Sequence, residues 1–179
     1  MELKQHPQGR MLDAAQYIEI INEAIERGRI RFALFDFDGT VSLIRQGWQD
    51  VMIPMMVDIL MGLHTGESRE EVHLIVKEFV TRLTGKQTIY QMMELADQVR
   101  KRGGTPKEPL EYKWDYLHLL WERIGERVRA LKEGRSTPEE MSVPGSLAML
   151  AAMRDRGVMM YVASGTDRPY VLDLSLIHI

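Results

Sequence analysis

The hydrophobic residues of this chain follow two rhythms. Two short runs are nearly continuous, and elsewhere apolar positions recur every three or four residues. The first run, residues 30–37, is rich in aromatic and branched side chains and predicts a buried strand. The second, residues 158–163, predicts another. Ahead of the first, Leu12, Ala15, Ile18, Ile21 and Ile25 fall at helical spacing from Met11 onward, and Gly28 is placed as a stop. Residues 1–10 are polar, with Pro7 and Gly9, and are expected to form a loose arm.

Between the two runs the period stays helical throughout. Residues 47–63 predict a Met-rich helix, apolar on most of its circumference. Ser68 precedes a second helix with Glu70 and Glu71 in its first turn, where the helix dipole favours acids. Its stripe is Val72, Ile75, Val76, Phe79 and Leu83, and Gly85 ends it. A third helix spans 88–102, with Ile89, Met92, Met93, Ala96 and Val99 inward; residues 105–109 then form a linker. A fourth spans 111–133, with Leu117, Leu120, Trp121, Ile124, Val128 and Leu131 inward, stopped by Gly134. These stripes read as ordinary core of a bundle-like block. After a turn at 142–145, a short helix over 146–156 feeds the second strand, with Leu147, Leu150 and Met153 inward. Helices feeding apolar strands predict an α/β architecture built on a parallel sheet, interrupted by an all-helical insertion.

Composition narrows the class. The hydrophobic share of 45% and charged share of 27% are those of a soluble globular domain. A net charge of -3 gives no nucleic-acid footprint. The absence of cysteine rules out disulfides, zinc thiolates and a thiol nucleophile, and fits a reducing compartment. The N-terminus has no apolar signal core, and the most apolar segment, 51–63, is broken by Pro54, Asp58 and Gly62. The expectation is a cytoplasmic protein with neither a membrane nor a nucleic acid as partner.

Both strands end in small or acidic polar residues, Asp36-Phe37-Asp38-Gly39-Thr40 and Ser164-Gly165-Thr166-Asp167. In open parallel sheets, ligands bind at the carboxyl ends of strands. Residues two apart on a strand share a face, so Asp36 and Asp38 can converge. Two carboxylates there are costly unless a cation or donors offset them. By itself the pattern is equally that of an acidic surface turn. Ser164 is equally a helix N-cap.

Taken together, the motifs carry a resemblance. Phe35-Asp36-Phe37-Asp38-Gly39-Thr40 resembles the first motif of the haloacid dehalogenase-like hydrolases, a family dominated by phosphatases. Ala163-Ser164-Gly165-Thr166 resembles its second, and the helical block is similar to the cap that some members insert after motif one. The resemblance implies a Rossmann-like core, here incomplete, over 1–44 and 137–173, with a helical cap over 45–136. It implies a magnesium-dependent phosphatase that acts on a small phosphorylated metabolite, such as a sugar phosphate or a phosphoglycolate-like acid. Asp36 would be the nucleophile and Asp38 the general acid and base. Magnesium would be held at Asp36 and Asp38, through the carboxylate of the first and the backbone carbonyl of the second. Ser164, Gly165, Phe37, Gly39 and Thr40 would surround the phosphate. Arg45, just after motif one, would pair with a substrate anion or is a surface arginine; Gln46 and Trp48 beside it, and Arg168 after motif two, are placed near the cleft. His64, His73 and His118 have no paired ligand and are read as structural.

The chain departs from the family after motif two. No lysine follows Lys132, and Asp167 and Asp173 are too close to Ser164 to be the distant acids that complete the metal site. Residues 174–179 match one reading frame of a common sequencing-library transposon end. They are expected to be a non-native tail, the alternative being a short native strand, and the 179-residue chain is expected to turn over weakly or not at all. The rival functions are a phosphomutase of the same family and a non-catalytic binding module. Oligomeric state is not legible in the sequence.

Overall fold

The structure is a computed structural model that describes residues 10–11, 19–22, 24, 26 and 28–166. Most of the expected N-terminal arm, Leu12, Ala15, Ile18 and Ile25 of the expected first helix, Asp167, Arg168, Asp173 and the suspected tail lie outside the described residues. The described part is mixed α/β, with five helices and a two-stranded parallel sheet.

The expected first helix is corrected where it can be seen. Arg10–Met11 (β1) pairs antiparallel with Glu19–Ile20 (β2), and Ile21 is exposed. The stretch Tyr17-Ile18-Glu19-Ile20-Ile21 alternates branched and polar residues as well as it spaces them helically, and branched side chains suit a pleated surface.

The parallel sheet pairs Phe32–Asp36 (β3) with Met159–Ala163 (β4), from Phe32↔Met159 to Asp36↔Ala163. Both strands are shorter than expected, and neither is buried on both faces. Phe35 lines a cavity together with Leu147 and Leu150 of Ser146–Asp155 (α5), while Leu34 on the opposite face is 71% exposed. Phe32 and Tyr161 lie on that open face with ring centroids 6.4 Å apart. Continuous apolarity is the signature of a strand covered on two sides. Among the described residues only α5 covers this one, so the second apolar row meets no neighbour.

The insertion consists of Gln49–Met61 (α1), Arg69–Arg82 (α2), Thr88–Lys101 (α3) and Pro109–Lys132 (α4). Ser68 caps α2 in a reciprocal box: its hydroxyl accepts from the Glu71 N–H, and the Glu71 carboxylate accepts from the Ser68 N–H at 2.8 Å. Helices α1 and α2, α3 and α4, and α1 and α4 pack together. Their core takes in Met56, Leu60, Val76, Phe79, Met92 and Leu95, and continues without a break into Phe37, Val41 and Ile44. The core seam of α4 runs through Tyr112, Tyr116, Leu120, Ile124, Val128 and Leu131. Trp121, expected inward, is 47% exposed, since it stands ~100° around the helix from Leu120. Met93 is likewise exposed. Among the described residues no helix is long and apolar enough to cross a membrane.

The first and last residues of the insertion are zipped together. The Leu43 N–H donates to the Met141 carbonyl at 2.8 Å, and the Val143 N–H to the Val41 carbonyl at 3.0 Å. The helical block therefore leaves and rejoins the sheet at one place, directly beyond the end of β3.

Candidate active site at the strand ends

Strand β3 ends at Asp36, and the chain then turns tightly. The Phe37 carbonyl accepts from the N–H groups of Val41 and Ser42 at 3.0 and 2.9 Å, while its ring is buried in the core. Gly39 makes this turn possible: its φ is +81°, a region in which a Cβ is strained. The Gly39 N–H donates to the Ser42 carbonyl at 2.8 Å. Asp36 is exposed, and one carboxylate oxygen accepts from the Thr40 hydroxyl at 3.2 Å.

Asp38 is the better-held carboxylate. Its Oδ2 accepts from the Thr166 hydroxyl at 2.9 Å and from the Arg45 guanidinium at 3.2 Å, with the Ser164 hydroxyl at 3.5 Å. Its Oδ1 is fully buried and has no partner among the described residues. Arg45 also donates to Thr166. The Ser164 hydroxyl accepts from the Thr166 N–H at 3.0 Å, which closes a local turn after β4. The ends of β3 and β4 thus bring Asp36, Asp38, Ser164, Gly165 and Thr166 into one place, as Asp36↔Ala163 pairing requires.

Arg45 is not a surface arginine. It is 8% exposed and committed to Asp38 and Thr166. The three described histidines stand apart from the site: His73 and His118 are exposed on α2 and α4, His118 beside Glu122 at 3.4 Å, and His64 follows α1 with φ +54°.

A cavity of about 120 Å³ opens over the strand ends. Asp36, Asp38, Gly165 and Thr166 line one side. The insertion supplies the other: Trp48 and Met52 form an apolar wall, and Thr84, Lys86, Thr88 and Gln91 a polar one. Gln46, placed near the cleft from the sequence, does not line it, and neither do Ser164, Phe37, Gly39 and Thr40, expected around the phosphate; Arg45 does. The turn between α2 and α3 touches the second motif directly, the Thr88 N–H donating to the Gly165 carbonyl at 3.4 Å. Tyr116 of α4 completes the back wall. It is 1% exposed, and burial pushes its phenol up to about 12, the Asp38 charge adding to the rise and Arg45 opposing it.

Tyr116 and Gln91 were not legible as site residues, since each lies inside an amphipathic helix with no local motif to mark it. Thr166 was visible only as part of its motif. Among the described residues no cluster of three or more acidic, histidine or cysteine side chains forms a ready metal cage. Two oxygen-only carboxylates are nonetheless a donor set suited to a hard cation that keeps waters and substrate oxygens as its other ligands. No family model, curated protein or solved structure matches the chain.

Proposed function

We propose that the strand ends form the active site of a phosphoric monoester hydrolase of the haloacid dehalogenase-like kind, on an incomplete Rossmann-like core with a helical cap. The observation that carries this reading is the convergence of the two motifs: Asp38, two residues beyond β3, accepts from Thr166 at 2.9 Å across 128 positions of sequence. An acidic surface turn has no reason to gather hydroxyls from a distant strand end.

The chemistry follows from the side chains. The exposed Asp36 carboxylate attacks phosphorus, and the bond from phosphorus to the ester oxygen breaks as Asp38 delivers a proton to that oxygen. Asp38 then takes a proton from water, whose oxygen attacks the aspartyl-phosphate and releases orthophosphate and free Asp36. The Gly165 backbone, which lines the cavity, holds phosphate oxygens, and the Ser164 hydroxyl would join it on turning from Asp38, with Phe37, Gly39 and Thr40 across the turn. Asp36 and the Asp38 backbone carbonyl would hold magnesium, which when bound supplies the positive charge that offsets phosphate and carboxylate. Phosphoryl transfer asks mainly for positioning and charge balance, which a small cavity with Asp36, Asp38, Arg45 and Lys86 in its lining favours. The cavity volume favours a compact phosphorylated metabolite over a polymer or a lipid.

The test is magnesium-dependent hydrolysis of p-nitrophenyl phosphate by the wild-type chain and by Asp36→Asn. A magnesium-dependent rate lost in Asp36→Asn supports the proposal. A rate unchanged by the substitution, or no rate together with no binding of orthophosphate, contradicts it.

A further inference from the structure

The contacts behind Asp38 lead out of the strand ends and into the helical block. Arg45 lies in the turn over residues 44–48, immediately before α1, and its side chain is 9% exposed. The turn is gripped from behind by α4: Arg127 donates to the Ile44 carbonyl and to the Gln46 carbonyl, each at 2.9 Å. The guanidinium of Arg45 itself is bordered by the Tyr116 phenol, from the same helix. Helix α4 thus fixes Arg45 at both its backbone and its side chain.

What Arg45 does with that rigidity is visible at Asp38. Among the described residues, the Arg45 guanidinium and the Thr166 hydroxyl both donate to one oxygen of this carboxylate, Oδ2, while Oδ1 is buried. We infer that Arg45 is a positioning residue for Asp38: with Thr166 it holds Oδ2, fixes the orientation in which the carboxyl meets the substrate, and does not anchor the substrate. This inference rests on Asp38 being the acid and base of the proposed hydrolase.

The experiment compares wild type, Arg45→Lys, Arg45→Met and Thr166→Val on two esters with magnesium present. p-Nitrophenyl phosphate has a leaving group that departs without a proton, whereas the alkoxide of glycerol 2-phosphate needs one. A mispositioned acid therefore lowers the ratio of kcat on glycerol 2-phosphate to kcat on p-nitrophenyl phosphate by about tenfold or more in Arg45→Met. Thr166→Val lowers it in the same direction, Arg45→Lys restores part of it, and orthophosphate affinity stays within about twofold of wild type in all three. An unchanged ratio with KM or the orthophosphate Kd raised about tenfold makes Arg45 an anchor, and equal losses on both esters make it merely structural. Either result overturns the inference and leaves the hydrolase standing. Should Arg45→Met fail to fold, the Thr166→Val ratio decides. A wild-type chain that binds orthophosphate but releases neither alcohol overturns the positioning role, because Asp38 then donates no proton. One that neither binds nor releases overturns the hydrolase itself.

Discussion

The main-chain carbonyl oxygen of Lys86 stands 2.5 Å from the place that a Cβ on Gly165 would occupy. Lys86 belongs to the turn between α2 and α3, and Gly165 to the end of β4, so the helical block closes on the site through a notch that only glycine leaves open. Backbone is on both sides of the contact, and no side chain can swing away to make room. Gly165→Ala is expected to push the turn off the strand end. Orthophosphate affinity, measured by titration calorimetry with magnesium, should fall about tenfold, or ~1.4 kcal/mol, while helical content by circular dichroism is unchanged. Unaltered affinity would mean that the turn plays no part in the site.

Gly39 is required for a different reason. Nothing lies within 4 Å of a Cβ built there, but its φ is +81°. Gly39→Ala should cost about 1 kcal/mol through backbone strain alone, read as a lower urea midpoint, and Gly39→Asn should cost less because asparagine tolerates the left-handed region. Equal costs for the two would locate the penalty in packing.

Tyr116 gives the fold a signature at high pH. Its phenol is raised from 10.0 to about 12, chiefly by burial. Below pH 10 both the folded and the unfolded chain keep the proton, and the contribution is constant. Between pH 10 and about 12 the unfolded chain loses it and the folded chain does not, so stability falls as pH rises through that window. Comparing urea midpoints at pH 9 and pH 11, wild type should lose about 1 kcal/mol more than Tyr116→Phe. Parallel losses in the two proteins would show that the phenol titrates normally.

Glu67 supplies the acid-side counterpart. It makes a two-pronged pair with Arg102, with both N···O distances 2.7 Å, and that hydrogen bonding, helped by Thr65, holds its carboxyl below the usual 4.5. A lowered carboxyl contributes stability above its unfolded value and loses it as pH falls through the folded one. Thermal melts should therefore show wild type losing more stability than Glu67→Gln between neutral pH and about pH 3, and a constant gap would remove the pair from the stability of the α1–α2 connection.

The parts of this molecule legible in the sequence are those whose signal is local. Asp36, Asp38 and Ser164 were found because an apolar run that stops in polar residues marks a strand end without help from the rest of the chain. Helices α1 to α4 were found because an amphipathic stripe is repeated several times over. What failed depended on neighbours. Leu34 is exposed because a strand's second face is decided by what lies on it, not by its own residues. Trp121 was read inward and Tyr116 was not singled out because helix α4 has apolar bulk on two adjoining faces, and only packing against α1 and α3 chooses between them. Arg45 could not be assigned from sequence, since its partners Asp38, Thr166 and Tyr116 are brought to it only when both strand ends and α4 meet.

The most direct measurement is the site of covalent phosphorylation. The chain is incubated with magnesium and a labelled phosphate ester, quenched in acid and mapped by peptide mass. The label should sit on Asp36, be released by hydroxylamine as an acyl phosphate is, and be absent from Asp36→Asn. Label on another residue, or a phosphorylated Asp36→Asn chain, would contradict the reading of these two strand ends as one phosphoryl-transfer site.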